Sequence, residues 1–314
     1  MLQFFLRRLA FMALILFLVS LLVFVITSVL PGDAATMILG QQATPELLAA
    51  LRARLGLDQP APLRYLHWIS GVLRGDWGES LQMSIPVWPL LMQRLRNSIV
   101  LGLGAILLSA PLGIVLGVIA GVNRNRWLDQ LITTTTMFLV SFPSFVTASL
   151  LIIIFAAWLH WLPASSLIDP DANLLTSFRK LILPTLTLTF GMTAHIARMT
   201  RSSLLDILPS DYIRTAVAKG RSGWGVIFHH ALPNALLPVI SVIALQVGWL
   251  LSGVVLVETV FSYPGLGRLM LQAIMQRDIP LLQGVVLLAA AIRALANLSA
   301  DVLYFILNPR IRYS

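Results

Sequence analysis

The 314-residue chain contains no cysteine. That excludes a disulfide framework, a thiol nucleophile and a thiolate metal site. Charge is scarce too: 11% of the residues are Asp, Glu, Lys or Arg, against about 25% in an ordinary soluble domain. With 58% hydrophobic residues and a mean hydropathy of +0.86, there are too few polar side chains to clothe a globule in water. A soluble enzyme, a disordered chain and a fibrous repeat are excluded. Lysine is nearly missing, and neither Lys180 nor Lys219 precedes Ser or Thr, so the chain lacks the Gly-Lys-Ser/Thr that cradles phosphate in a P-loop. Neither H-E-x-x-H nor G-x-S-x-G occurs; both are local signatures of hydrolytic centres. The adjacent His229 and His230 would point about 100° apart on a helix, with no carboxylate beside them. They read as interfacial histidines. No metal, cofactor or catalytic residue is expected.

What the chain does have is long uncharged runs. A spanning helix needs about 20 apolar residues, and backbone groups in lipid must pair internally. Six transmembrane helices are therefore expected, near residues 9–30, 98–122, 131–159, 181–200, 234–257 and 281–307. The first run is longer than a secretory signal core and no A-x-A site follows it, so it reads as an uncleaved helix. The net charge of +9 comes from small scattered groups of arginine, which points to membrane topology rather than nucleic acid. With both termini inside, the inner segments carry 11 positive and 3 negative charges, whereas the outer segments carry 10 and 9. The expected fold is all-α and integral to the membrane, with N-in/C-in topology.

Three regions are expected: 1–30, an inner tip and first span; 31–97, an outer cap; and 98–314, a core with five spans and an inner loop at 201–233. The cap is rich in turn signals. Within it PELLAALRARL (45–55), preceded by Thr44 as N-cap and followed by Gly56, predicts a short helix. In the inner segment, Ser210 or Asp211 can cap a helix through Lys219, with Gly220 at the C′ position. A second helical pattern puts Trp224, Ile227, Phe228 and Ala231 on one face and ends before Pro233. The two short helices read either as a rigid docking knob or as an amphipathic connector lying on the bilayer.

Within the spans, Gly113, Gly117 and Gly121 form a G-x-x-x-G-x-x-x-G series that lets another helix approach closely. Pro143 falls mid-span and should kink or break the third helix, which hints at a pathway. Arg293, Asn297 and Asp301 recur at i, i+4 and i+8 on the last span. An arginine at this depth must face protein or water. It either pairs internally, for instance with Asp301, or lines a path for a carboxylate-bearing solute.

The ordered motifs Pro31-Gly32-Asp33, Gly56-Leu57-Asp58-Gln59-Pro60, Gly75-Asp76-Trp77-Gly78-Glu79-Ser80, Asp211-Tyr212-Ile213-Arg214-Thr215-Ala216-Val217-Ala218-Lys219-Gly220, Asn234-Ala235-Leu236-Leu237-Pro238, Glu258-Thr259-Val260-Phe261, Tyr263-Pro264-Gly265-Leu266-Gly267 and Asn308-Pro309-Arg310 run the length of the chain. Together they resemble the permease subunits of bacterial ABC importers for dipeptides, oligopeptides and nickel. The closest likeness is to the first of the two permeases, the one with a long outer loop after span one. The general importer loop reads Glu-Ala-Ala, three residues, Gly, nine residues, Ile-x-Leu-Pro. Here Arg214-Thr215-Ala216 and His230-Ala231-Leu232-Pro233 stand in those places, so no role that needs the glutamate carries over.

The resemblance implies a type I importer permease in the bacterial inner membrane. It makes Asp211, Tyr212, Arg214, Thr215, Ala216, Lys219 and Gly220 an ATPase-coupling element. It makes spans two to six half of the translocation pathway, with Pro143, Arg293, Asn297 and Asp301 as candidate lining. Glu258, Phe261, Pro264 and Gly265 become an outer gate or docking loop. The implied partners are a homologous second permease, two ATP-binding subunits, a periplasmic solute-binding protein and membrane lipid. ATP hydrolysis lies on the partners. Peptide is the implied solute; nickel chelates, glutathione and opines are alternatives. The rivals from other classes are a stand-alone solute or ion channel and an intramembrane peptidase. The sequence disfavours both, because no span carries paired carboxylates, a Ser/Lys pair or a repeated charged ring element.

Overall fold

The computed structural model describes residues 2–29, 44–54, 58–167 and 174–307, with no side-chain account of a few positions inside those ranges. The Pro31-Gly32-Asp33, Gly56-Leu57 and Asn308-Pro309-Arg310 motifs lie outside the described residues. In chain order the helices are α1 (Leu2–Val29), α2 (Pro45–Arg54), α3 (Ala61–Leu73), α4 (Val87–Val122), α5 (Trp127–Ser141), α6 (Ser144–Leu151, continued by a π-helical turn Ile152–Trp158), α7 (Leu174–Ile207), α8 (Asp211–Ala218), α9 (Gly223–Val226, continued by a π turn Ile227–Ala231), α10 (Leu232–Val260), α11 (Leu266–Met275) and α12 (Ile279–Leu307). Among the described residues the only extended pairing is an isolated bridge between Glu79 and Pro86.

Among the described residues, four helical stretches are long and apolar enough to cross a membrane: Leu6–Ser28, Val87–Val122, Gly223–Gln246 and Ile279–Ser299. A fifth is reached if α5 and α6 together make one span. The expected fourth span, in α7, is not among them, since Arg179, Lys180, Arg198, Arg201 and a row of threonines dilute its apolar character.

Several boundaries differ from the sequence reading, each for a local reason. Span two begins 11 residues early, at Val87 rather than 98. Nothing stops a helix there, because Pro89 sits in the first turn, where a missing N–H costs nothing. The third span is not one straight helix. Phe142 and Pro143 are extended, with ψ of 130° and 143°, as expected for proline and its predecessor. The helices on either side are bent by 101°. The expected stop before Pro233 is absent as well. The Leu232 N–H bonds to the Ile227 carbonyl in a widened turn, and Pro233 falls in the first turn of α10. The shifted register absorbs a residue that would otherwise break the helix. By contrast, α2 starts where expected, with Leu47 N–H donating to Thr44 Oγ1 at 3.3 Å.

The chain forms two compact units, Met1–Asn97 with Arg268–Leu295, and Ser98–Gly267 with Ala296–Ser314. In the first unit α3 lies along α1. Ser20 and Tyr65 share a hydrogen bond of 2.9 Å, and Trp68 stacks on Phe24. Asp278, fully buried, caps α12 through Leu281 N–H and accepts from Ser80 Oγ and from the Leu81 N–H.

In the second unit α7 packs against α5, α6 and α10. Its core joins Leu101, Ala105, Ala148, Leu183, Met192, Val257 and Phe261. Threonines 187, 189 and 200 return their hydroxyls to carbonyls four residues back, so they can be buried without an orphan donor. The glycine series of α4 faces α7. A Cβ at Gly117 would lie 2.5 Å from Thr200 Cβ, and one at Gly113 would lie 2.6 Å from Ile196 Cβ. The series is an intrachain packing seam.

Candidate functional site

The segment between α7 and α10 begins where α7 ends. Ser210 occupies the N-cap of α8, but its hydroxyl turns back to the Ile207 carbonyl instead of capping. At the other end Gly220 adopts φ +77°, the left-handed conformation that lets the chain reverse after a helix. Ser222 Oγ accepts from Gly225 N–H and starts α9. Packing divides the loop in two. Ile213 and Ala216 point inward and join Leu204, Val226, Ala231 and Ala235 in a small core. Asp211, Tyr212, Arg214, Thr215, Val217 and Lys219 are exposed.

Two sequence expectations change here. The resemblance places Ala216 in the ATPase-coupling element. It is 8% exposed and packs into the small core, so it supports the helix from beneath rather than standing on its open face. The stripe Trp224, Ile227, Phe228 and Ala231 also divides. Trp224 and Phe228 are exposed and stacked, with centroids 5.7 Å apart, whereas Ile227 and Ala231 are buried. The π turn changes the angular step per residue, and a face drawn at α-helical spacing does not survive it.

The turn between α10 and α11 is mostly packed inside the protein. Glu258 and Phe261 are fully buried and Tyr263 is 1% exposed; Ser262 and Pro264 are partly open. Ser98 Oγ donates to Glu258 Oε1 at 2.5 Å, and Gly267 N–H donates to Oε2 at 2.8 Å. Leu266 N–H in turn donates to Ser98 Oγ. The carboxylate thus receives the first N–H groups of α11, one directly and one through serine, as a helix N-terminus favours. A Cβ at Gly265 would overlap that carboxylate. Burial, and then the neighbouring Glu258 charge, push the Tyr263 phenol well above its ordinary pKa. Glu258, Phe261 and Gly265 lock the turn from within, and its partly open residues are Ser262 and Pro264.

Three clefts open onto α7. One of about 410 Å³ lies against α5, lined by Thr133, Thr136, Ser141, His195, Arg198 and Arg201 among others. One of about 320 Å³ opens at the Pro143 break, with Ser144, Thr147, Thr187 and His195. The third, about 690 Å³, lies between α7 and α10, with His195, Arg198, Ser202 and Gln246. Arg201 is held by Asp129 in a two-pronged ion pair, Nε–Oδ1 at 2.6 Å and Nη2–Oδ2 at 2.8 Å. Asp129 also accepts from Asn125 N–H at 2.9 Å. Of the residues expected to line a pathway, Pro143 reaches these clefts. On α12, Arg293 and Asn297 are exposed and Asp301 is half-buried.

Residues 113–313 match the family described as the inner membrane component of binding-protein-dependent transport systems, and residues 1–102 match its N-terminal companion. The chain belongs to that family. It is a multi-pass permease subunit of an ABC importer. Among curated relatives, a probable peptide ABC transporter permease protein of Sinorhizobium fredii is 41% identical over 98% of both chains. The glutathione transport system permease protein of Escherichia coli is 41% identical over the whole length of both. A chain of the inward-facing MetNI methionine ABC transporter shares the fold. Its TM-score is 0.59 at 19% identity, covering 72% of this permease and all of that chain.

Against this background, two permease residues missed in the sequence are His195 and Arg198. His195 lines all three clefts. The available signal was position: both fall in or next to an expected span, where an ionisable side chain is a functional candidate by default.

Proposed function

We propose that this permease is one half of a peptide-class importer, with six spans and both termini inside. It pairs with a homologous second permease, two ATP-binding subunits and a periplasmic solute-binding protein. The observation that carries the reading is the full-length 41% identity to peptide and glutathione permeases, which extends through the inner loop and the long outer segment. Both named solutes are peptides with free carboxylates. The polar α7 supplies the sixth span, its cations facing the clefts rather than lipid, as intramembrane charge requires. The exposed face of α8, with Trp224 and Phe228 beside it, is the ATPase contact. Arg293, Asn297 and Asp301 line the route on α12.

A tagged chain is expected to co-purify with a second permease and an ATPase, and the reconstituted complex to take up peptide only with ATP and its binding protein. Purification alone, with solute flux in the absence of ATP, would favour the channel reading. Topology is checked separately. Single cysteines at the exposed Ala49 and Ser222 are expected to label from opposite sides, Ala49 alone being reached in intact cells. Labelling from one side overturns the six-span arrangement.

A further inference from the structure

Helix α7 presents two cationic or cation-capable side chains that the chain itself leaves unanswered. Arg201 is saturated by Asp129. Arg198 and His195, about one and two turns nearer the middle of the helix, are exposed. Among the described residues, neither takes part in a hydrogen bond or an ion pair. His195 stands 12 residues before the end of α7 at Ile207, about 18 Å along the axis. Arg198 stands nine residues before that end, about 14 Å along the axis, and a guanidinium within a span and without a counter-ion is costly unless it meets water or an anion.

The surroundings define which anion. His195 lies where three clefts meet, and Arg198 lines two of them. Among the described residues no carboxylate lines any of the three; apart from these two residues and the paired Arg201, the polar lining is neutral, including Ser141, Thr147, Ser202 and Gln246. Residues three apart on a helix are neighbours about 5–6 Å between Cβ atoms. One carboxylate can therefore bridge the planar fork of Arg198, which accepts it with two parallel hydrogen bonds, and an imidazole N–H of His195.

We propose that His195 and Arg198 form a carboxylate-binding station at which a solute with a free carboxyl group, such as a peptide C-terminus, is held during passage. The assignment rests on the permease reading above and names the chemistry of its route. The Pro143 break bounds the same space from the other side. The 101° bend between α5 and α6 falls at that break, where Ser141 and Ser144 line the cleft.

The test uses the whole importer in proteoliposomes, with trialanine as probe and the binding protein at saturation. Arg198→Ala is expected to lower uptake at least tenfold, with subunit recovery and basal ATP hydrolysis unchanged. Arg198→Lys, which keeps the charge, should retain a third or more of wild-type uptake, and His195→Ala should fall between. Equal loss in Arg198→Ala and Arg198→Lys, or no loss in either, overturns the proposal. Failure of Arg198→Ala to recover the other subunits also overturns it, and assigns the arginine to the seam with a partner chain. A wild-type complex that imports no peptide defeats the peptide reading and this station with it, whereas intact wild-type uptake with unaffected variants defeats the station alone.

Discussion

Replacing Ala216 with arginine is expected to abolish ATPase recovery and solute uptake together, by unfolding the inner loop rather than by blocking a contact. Ala216 is packed against Leu204, Ile213, Val226, Ala231 and Ala235. Forcing extra bulk into such a site costs about 1–3 kcal/mol, and an unpaired charge there adds several more. A small core of six buried residues has little to set against that. Limited proteolysis separates the explanations: Ala216→Arg should expose cleavage sites between Leu208 and Ala231 even in the isolated permease. Val217→Arg is the control. Val217 is 56% exposed, so the loop should stay protease-resistant while ATPase recovery drops if the outer face of α8 is the docking surface. An Ala216→Arg chain with an intact loop and no ATPase would return Ala216 to the contact. Full recovery and uptake in both variants would remove α8 from the interface.

The contrast between those two residues shows what the sequence carries and where it stops. Features set by local sterics were legible. Pro143 marked a break that the structure shows, although Pro111, Pro184 and Pro238 stand inside continuous helices, and the glycines at 113, 117 and 121 meet a close neighbour. Gly220 likewise announced a reversal. Features that depend on which way a helix faces were not. The resemblance put Ala216 in a docking element, but whether its side chain meets a partner or the body of the same chain is decided by packing with α7 and α10. The π turn at Ile227–Ala231, where the helix widens just before Pro233, defeated a stripe drawn at 3.6 residues per turn. For His195 and Arg198, the residue types were visible and the clefts were not. A histidine near a span end has an ordinary interfacial reading until three cavities are seen to converge on it. Glu258 was visible as part of a motif. Its burial was not, since a carboxylate in an outer turn is normally solvated.

That burial sets up the second large effect. Gly265→Ala is expected to disable the permease although it adds one methyl group. The new Cβ would occupy the position of the Glu258 carboxylate, and α10 ends just beyond Glu258, at Val260. The carboxylate must leave, and with it the bonds from Ser98 Oγ and Gly267 N–H. Hydrogen bonds to a charged group contribute about 1.5–3 kcal/mol each, and donors left buried without acceptors cost about as much. The loss is on the order of 3 kcal/mol or more, read as a lower heating midpoint of the purified complex and a lower yield from membranes. Glu258→Ala should be harmful too, since it orphans the same two donors. The informative variant is the pair. With no carboxylate to strike, Gly265→Ala should cost almost nothing in the Glu258→Ala background, so the double variant should match Glu258→Ala alone. Contacting residues couple in this way, whereas residues that do not touch give additive effects. Full additivity would show that the two positions do not meet, and wild-type stability of Gly265→Ala would show that the turn has room to spare. Either result would dissolve the lock between the outer turn and the start of α11.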